Sequence, residues 1–253
     1  CSFSFQIFFV AIGFYVFCIF SKNSIIVKRK SFVESFLSGV LFHGVYLGGV
    51  FYSISIGMPT SLAALIVTLQ PILTNALSGP ILNEKVSKKQ WAGVFLGFGG
   101  ASIVLGLDIG SDIPFLGFIA TIIALIAITT STIWQKKLSN NLPLSVSNFY
   151  QAIGGCFFHV VIIIFFVDPF INFSKTFLIA ISHQILLVSF GAFTILMFLI
   201  KKNSASKTVS VFFLIPPTSA LMAWFFLNET LSTLDILGFF IASVGVYLAT
   251  RNE

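Results

Sequence analysis

Apolar positions in this chain run continuously for long stretches and are interrupted by short polar loops. Nine such runs can be read, at 3–20, 35–57, 60–82, 91–107, 113–135, 148–167, 177–200, 206–227 and 234–250. Crossing a hydrocarbon layer of ~30 Å takes about 20 mainly apolar residues in helical form. None of the runs shows the strict apolar–polar alternation of a lumen-lining strand. Lipid tolerates no unpaired backbone groups, so continuous apolar runs of this length predict membrane-spanning helices.

Composition supports this reading. Hydrophobic residues make up 57 % of the 253 residues and charged residues 9 %, and phenylalanine alone occurs 32 times. Mean hydropathy is +1.03. A water-soluble domain draws about a quarter of its residues from the charged types. The formal charge of +6 does not indicate nucleic acid, because the basic residues fall in short clusters between apolar runs. No nucleic-acid partner is expected; the partners are the lipid bilayer and a small-molecule metabolite.

Those clusters alternate from loop to loop. Lys22, Lys28, Arg29 and Lys30 follow the first run, and Lys85, Lys88 and Lys89 the third. Lys136 and Lys137 follow the fifth, Lys201, Lys202 and Lys207 flank the loop after the seventh, and Arg251 follows the ninth. The other loops hold Asp108, Asp112, Asp168, Glu229 and Asp235, with Lys175 as their one base. Basic residues mark cytoplasmic loops, which predicts a multi-pass protein of the plasma (bacterial inner) membrane with a cytoplasmic C-terminus.

The chain also repeats itself. Shifted by 145 residues, 61–100 aligns without a gap on 206–245. Ten of forty columns are identical, against roughly three expected by chance. They include Ser61 with Ser206, Pro71 with Pro216, Ser87 with Ser232, Gly93 with Gly238, Gly100 with Gly245, and the run Leu-Asn-Glu at 82–84 and 227–229. An odd number of spans separates Glu84 from Glu229, so the copies are expected to face opposite sides. The first copy's loop, "NEKVSKKQ", has three lysines, and the second's, "NETLSTLD", has none. Inverted repeats of this kind place a substrate site near the bilayer midplane.

The block "GMPTSLAALIVTLQPILTNALSGPILNEKVSKKQWAGVFLGFGGASIVLG" and its second copy resemble the EamA-type transporters of the drug/metabolite transporter superfamily. The resemblance covers nearly the whole chain. It implies an all-α membrane protein of ten helices in a five-plus-five inverted repeat, of which nine are visible here. The halves are then 1–107, with four helices, and 113–250, with five. The 145-residue shift maps the span 113–135 to positions before residue 1, and Cys1 is not an initiator methionine. The expectation is a further apolar span upstream, and without it an unfilled groove beside 113–135 or its neighbours. Family function implies transport of small metabolites, with amino acids or related compounds exported by alternating access. Nucleotide-sugar or lipid-linked cargo, or a non-transporting scaffold, are the alternatives.

Candidate chemistry is sparse. No nucleophile–base pair, metal-ligand spacing or phosphate loop is present, so no enzymatic activity, catalytic residue, metal or cofactor is expected. Cys18 and Cys156 lie inside apolar runs and read as small packing residues. Ionisable or polar groups within spans suggest a substrate path, although a neutral histidine bonded to a neighbouring helix is the commoner case. Candidates for the substrate cavity are His43, Tyr46, Gln70 and Asn75 in the first half, with Tyr150, Gln151 and His159 in the second. Tyr150 reads equally well as an interface anchor. Pro71, Pro216 and Pro217 are hinge or cavity candidates, since proline frees a backbone carbonyl. Glu84 and Glu229 end their helices and read as capping or gating groups. No carboxylate sits at mid-membrane, which favours neutral or zwitterionic cargo. The spacings Gly44/Gly48, Gly93/Gly97 and Gly238/Ala242 allow close helix contact.

Overall fold

The computed structural model describes residues 2–106, 113–139, 141–166, 173–227 and 230–251. Nine helices account for most of them, and no strand occurs among the described residues. They are α1 (Ser2–Phe20), α2 (Arg29–Ser55), α3 (Thr60–Leu82), α4 (Lys88–Leu105), α5 (Phe115–Ser139), α6 (Leu144–Phe166), α7 (Lys175–Lys202), α8 (Ala205–Phe226) and α9 (Thr233–Thr250). Seven of these, all but α1 and α4, are long and apolar enough to cross a membrane. In α1 the apolar stretch Phe5–Phe20 is shorter. α4 opens on Lys88, Lys89 and Gln90, which lowers its mean hydropathy. Several helices start earlier than the apolar runs, because their first turns are polar. Ser87, for example, accepts from the Gln90 N–H at 3.2 Å and caps α4, and Ser232 with Asp235 forms a capping box at the start of α9.

The long helices are irregular at matched places. α2 widens to π-helical turns over Val40–Tyr46, and α7 does so over Gln184–Ala192. Adding the 145-residue shift of the sequence repeat to 40–46 gives 185–191, inside the second wide stretch. In α3 the helix tightens at Thr68 and Leu69, with Leu69 N–H donating to Ile66 O at 3.1 Å, directly before Pro71. In α8 a 3₁₀ turn spans Val211–Leu214, directly before Pro216 and Pro217. A proline in the first turn of a resumed helix needs no N–H partner, so each proline restarts its helix where the ladder has been reset.

The chain divides into two compact units. One comprises Cys1–Gly48 and Thr130–Lys202, the other Gly49–Thr129 and Asn203–Glu253. In the first, α1 packs on α6 through Ile7, Val10, Phe14 and Ala152. The start of α2 crosses α6 closely: a Cβ on Gly154 would collide with the Phe36 carbonyl, and one on Gly39 with that of Gln151. In the second unit, α4 lies backbone to backbone against α9. A Cβ on Gly93 would stand 2.6 Å from Gly245 O, and one on Gly245 would strike Gly97 N. Small residues let lipid-embedded helices approach this closely, and dispersion then holds them. Met58, Ala63, Ile66 and Leu125 form the other core of this unit.

Candidate functional site

The first unit buries a chain of uncharged polar side chains. Ser131 on α5 donates to the Ser38 carbonyl on α2 at 2.9 Å, and their hydroxyls are also 2.9 Å apart. One turn along α5, Gln135 Nε2 donates to Ser131 Oγ at 3.2 Å and to Gln151 Oε1 on α6 at 3.0 Å. Gln151 Nε2 then donates to Ser147 Oγ at 3.1 Å. All five residues are buried. Gln135 Oε1 has no hydrogen-bond partner, and neither does the carboxamide of Asn148. Buried polar atoms are rarely left unpaired, so such acceptors and donors are chemically conspicuous.

His43 lies in the wide turns of α2 and His159 in the middle of α6. Nε2 of His159 is 2.9 Å from the backbone oxygen of His43, and Gly155 leaves room for the His43 side chain, since a Cβ there would stand 2.8 Å from His43 Cβ. The His43 ring packs 4.9 Å from the Phe193 ring and 5.0 Å from that of Phe42, which also packs 5.8 Å from Tyr46. Wide turns expose helix carbonyls that an α-helical ladder would engage, which is why they recur at functional positions. Tyr150 is placed differently: its hydroxyl donates to the Ile25 carbonyl and anchors the loop after α1.

Gln70, Asn75 and Glu84 belong to the second unit. Gln70 is buried at the restart of α3 beside Pro71. Asn75 Nδ2 donates back to the Pro71 carbonyl, one turn earlier in the same helix, at 2.7 Å. Its Oδ1 accepts from Gln90 Nε2 at 2.9 Å, and Gln90 also donates to Ser206 Oγ at 3.0 Å. Asn83 ends α3 in the left-handed conformation, with φ +57°. That turn brings Glu84 onto the start of α8, where Oε1 accepts from Ala205 N–H at 2.8 Å and Oε2 from Ser206 N–H at 3.3 Å. A carboxylate on free N–H groups at a helix N-terminus is favourable both as a cap and against the helix dipole. Glu229 lies outside the described residues. Pro71, Pro216 and Pro217 are buried at the restarts of α3 and α8.

Of the sequence candidates, then, His43 and His159 are brought together, and Gln151 enters a network. Ser38, Ser131, Gln135 and Ser147 escaped the sequence reading. Their signal was present in the spacing, since Ser131/Gln135 and Ser147/Gln151 are both four apart and so share a helix face.

The EamA-like transporter family's profile matches residues 2–106 and again 115–251. An uncharacterized transporter of Bacillus subtilis (strain 168), YvbV, is 25 % identical over 232 residues, which cover 87 % of this chain and 71 % of that one. A protein named "Probable amino-acid metabolite efflux pump" from Escherichia coli (strain K12) is 22 % identical over 209 residues, 79 % of this chain and 70 % of that one. One of the same name from Salmonella typhimurium is 30 % identical over 95 residues, 37 % of this chain and 32 % of that one. A solved crystal structure shares the fold with a TM-score of 0.80 at 15 % identity, covering 98 % of this chain and 86 % of that one. With its apolar helices and two matched stretches that together span almost its whole length, this multi-pass membrane protein belongs to the EamA-like transporter family, within the drug/metabolite transporter superfamily.

Proposed function

We propose that the chain exports small neutral or zwitterionic metabolites, amino acids or related compounds, across the plasma membrane. The observation that carries this reading is the likeness to two proteins named as probable amino-acid metabolite efflux pumps. The buried network around Gln135 and Gln151 supports it further, because it offers hydrogen bonds without a fixed charge. A zwitterion needs directional partners more than a counter-ion, and an uncharged polar lining costs less to bury in lipid than a charged one.

In this reading the inverted repeats 1–107 and 113–250 move alternately about the substrate. His43, Tyr46, Gln70, Asn75, Gln151 and His159 supply cavity groups, and Tyr150 steadies a loop. The restarts at Pro71 and at Pro216–Pro217 act as hinges, where the helical ladder is already interrupted. Glu84 caps the start of α8, one of the helices that move. The distribution of basic residues, thirteen of fourteen in alternate loops, supports a cytoplasmic C-terminus. The protein carries solute and performs no covalent chemistry.

The test is counterflow in proteoliposomes loaded with a mixture of unlabelled amino acids and neutral metabolites and diluted into traces of the labelled compounds. Accumulation of at least one solute, reduced by Gln151→Leu, is the expected result. A chain that is folded and inserted but moves no component of the mixture would overturn the proposal.

A further inference from the structure

In the first unit a cleft of about 360 Å3 opens between α1, α6 and α7. Phe14 and Phe17 wall it on α1, Asn148 on α6, and Thr194, Ile195 and Phe198 on α7. Phe17, Ile195 and Phe198 are exposed, so the cleft faces the surroundings of the helices, which in a membrane are lipid. It lies close to one end of its unit. Phe17 is within a turn of the end of α1, Phe198 within about a turn of the end of α7, and Asn148 is one turn into α6.

That end is basic. The Lys202 ammonium rests 5.8 Å from the centroid of the Phe198 ring, over a wall of the cleft, and Lys201 precedes it in the last turn of α7. Lys22 follows α1 beside Asn23, whose Nδ2 donates to Ser145 Oγ, another lining group, at 2.9 Å. Behind the apolar wall, Asn148 is buried at 1 % exposure with neither carboxamide atom bonded. Apolar walls, an ammonium at the rim and an unsatisfied amide near the same end match the acyl chain, phosphate and ester of an anionic phospholipid.

We propose that an anionic phospholipid of the adjoining leaflet occupies this cleft. One acyl chain lies along Phe14, Phe17 and Ile195, and the phosphate meets Lys202 and Lys201. As the chain parts Leu144 from Phe198, an ester carbonyl accepts from Asn148 Nδ2. Each component follows from ordinary bilayer physics: basic residues near the surface attract anionic headgroups, and ester groups lie just beneath the phosphates. The lipid would brace α1 and α7 against α6. This rests on the chain's insertion in a bilayer and not on the identity of its cargo.

The experiment is native mass spectrometry of the full chain released from nanodiscs of equimolar phosphatidylglycerol and phosphatidylcholine. The wild type is expected to retain phosphatidylglycerol in preference by about five-fold or more, the factor contributed by a single surface lysine. Lys201→Ala with Lys202→Ala should abolish the preference, and Ile195→Trp, which fills the cleft, should reduce retention of both lipids. Asn148→Leu should lower phosphatidylglycerol retention while the thermal unfolding profile stays cooperative. Lys88→Ala with Lys89→Ala, in the other unit, should leave the preference intact. Equal retention of the two lipids by the wild type would overturn the proposal. So would an unchanged preference in the Lys201/Lys202 variant, or an equal loss from the Lys88/Lys89 pair, which would mark diffuse attraction to surface charge.

Discussion

Glu84, in the loop after α3, holds the first backbone N–H of α8: Oε1 accepts from Ala205 at 2.8 Å across 121 positions of sequence. The motif Leu-Asn-Glu thus joins an element of the first repeat to one of the second. Each of its polar residues has a physical task. Asn83 takes the left-handed turn that ends α3, and Glu84 supplies the acceptor for the next helix start.

Replacing Glu84 by alanine should therefore destabilise the protein by about 0.5–2 kcal/mol, the range for a lost N-cap. Glu84→Gln keeps one acceptor and should lose less. Thermal unfolding in one detergent or nanodisc preparation reads the order wild type, glutamine, alanine; an alanine variant as stable as the wild type would show that the contact contributes nothing.

Gly93 admits no side chain, because Gly245 and Ala249 of α9 occupy the space a Cβ would need. Gly93→Leu should force α4 and α9 apart at a cost of about 1–3 kcal/mol or more, the range for overpacking, and lower the yield of monodisperse protein. Gly99→Ala, where nothing lies within 4 Å of the added methyl, is the matched control and should behave as wild type. Size-exclusion profiles of the two variants make the comparison.

Gln135 and Gln151 share one hydrogen bond within a buried network, so their substitutions should not add. Gln135→Leu or Gln151→Leu alone leaves buried groups unpaired at a cost of about 1–3 kcal/mol. The double variant should lose less than the sum. A double-mutant cycle in unfolding free energy measures the coupling, and strict additivity would mean that the two side chains are independent in the native state.

Orientation can be read with thiol reagents. In a chain cleared of native cysteines, Ser87→Cys should be protected from an impermeant reagent outside intact cells, and Ser232→Cys should react. Labelling of both from outside would contradict the inverted repeat.

Much of this architecture is written in the pattern of the chain. The apolar runs define the helices because hydrocarbon thickness imposes their length, and the recurrence of Pro71 as Pro216 marks two restarts that have the same local form. The polar network was harder to read. Ser131, Gln135 and Ser147 look like ordinary small or polar residues near helix ends until α5 and α6 are seen side by side. Tyr150 read equally well as a cavity group or an interface anchor; its partner is a backbone carbonyl, Ile25 O, which has no sequence signature. The wide turns in α2 and α7 were also invisible. Neither Val40–Tyr46 nor Gln184–Ala192 contains proline, and a changed hydrogen-bond register leaves no mark in composition.

These wide turns also have a consequence for which faces the two helices present. A π-helical turn takes an extra residue into a helix and rotates everything beyond it by one step around the axis. The side chains of α2 after Tyr46 and of α7 after Ala192 are therefore offset from the stripes that their first turns begin. The offset falls at equivalent positions of the sequence repeat, with His43 in one copy and Val188 in the other.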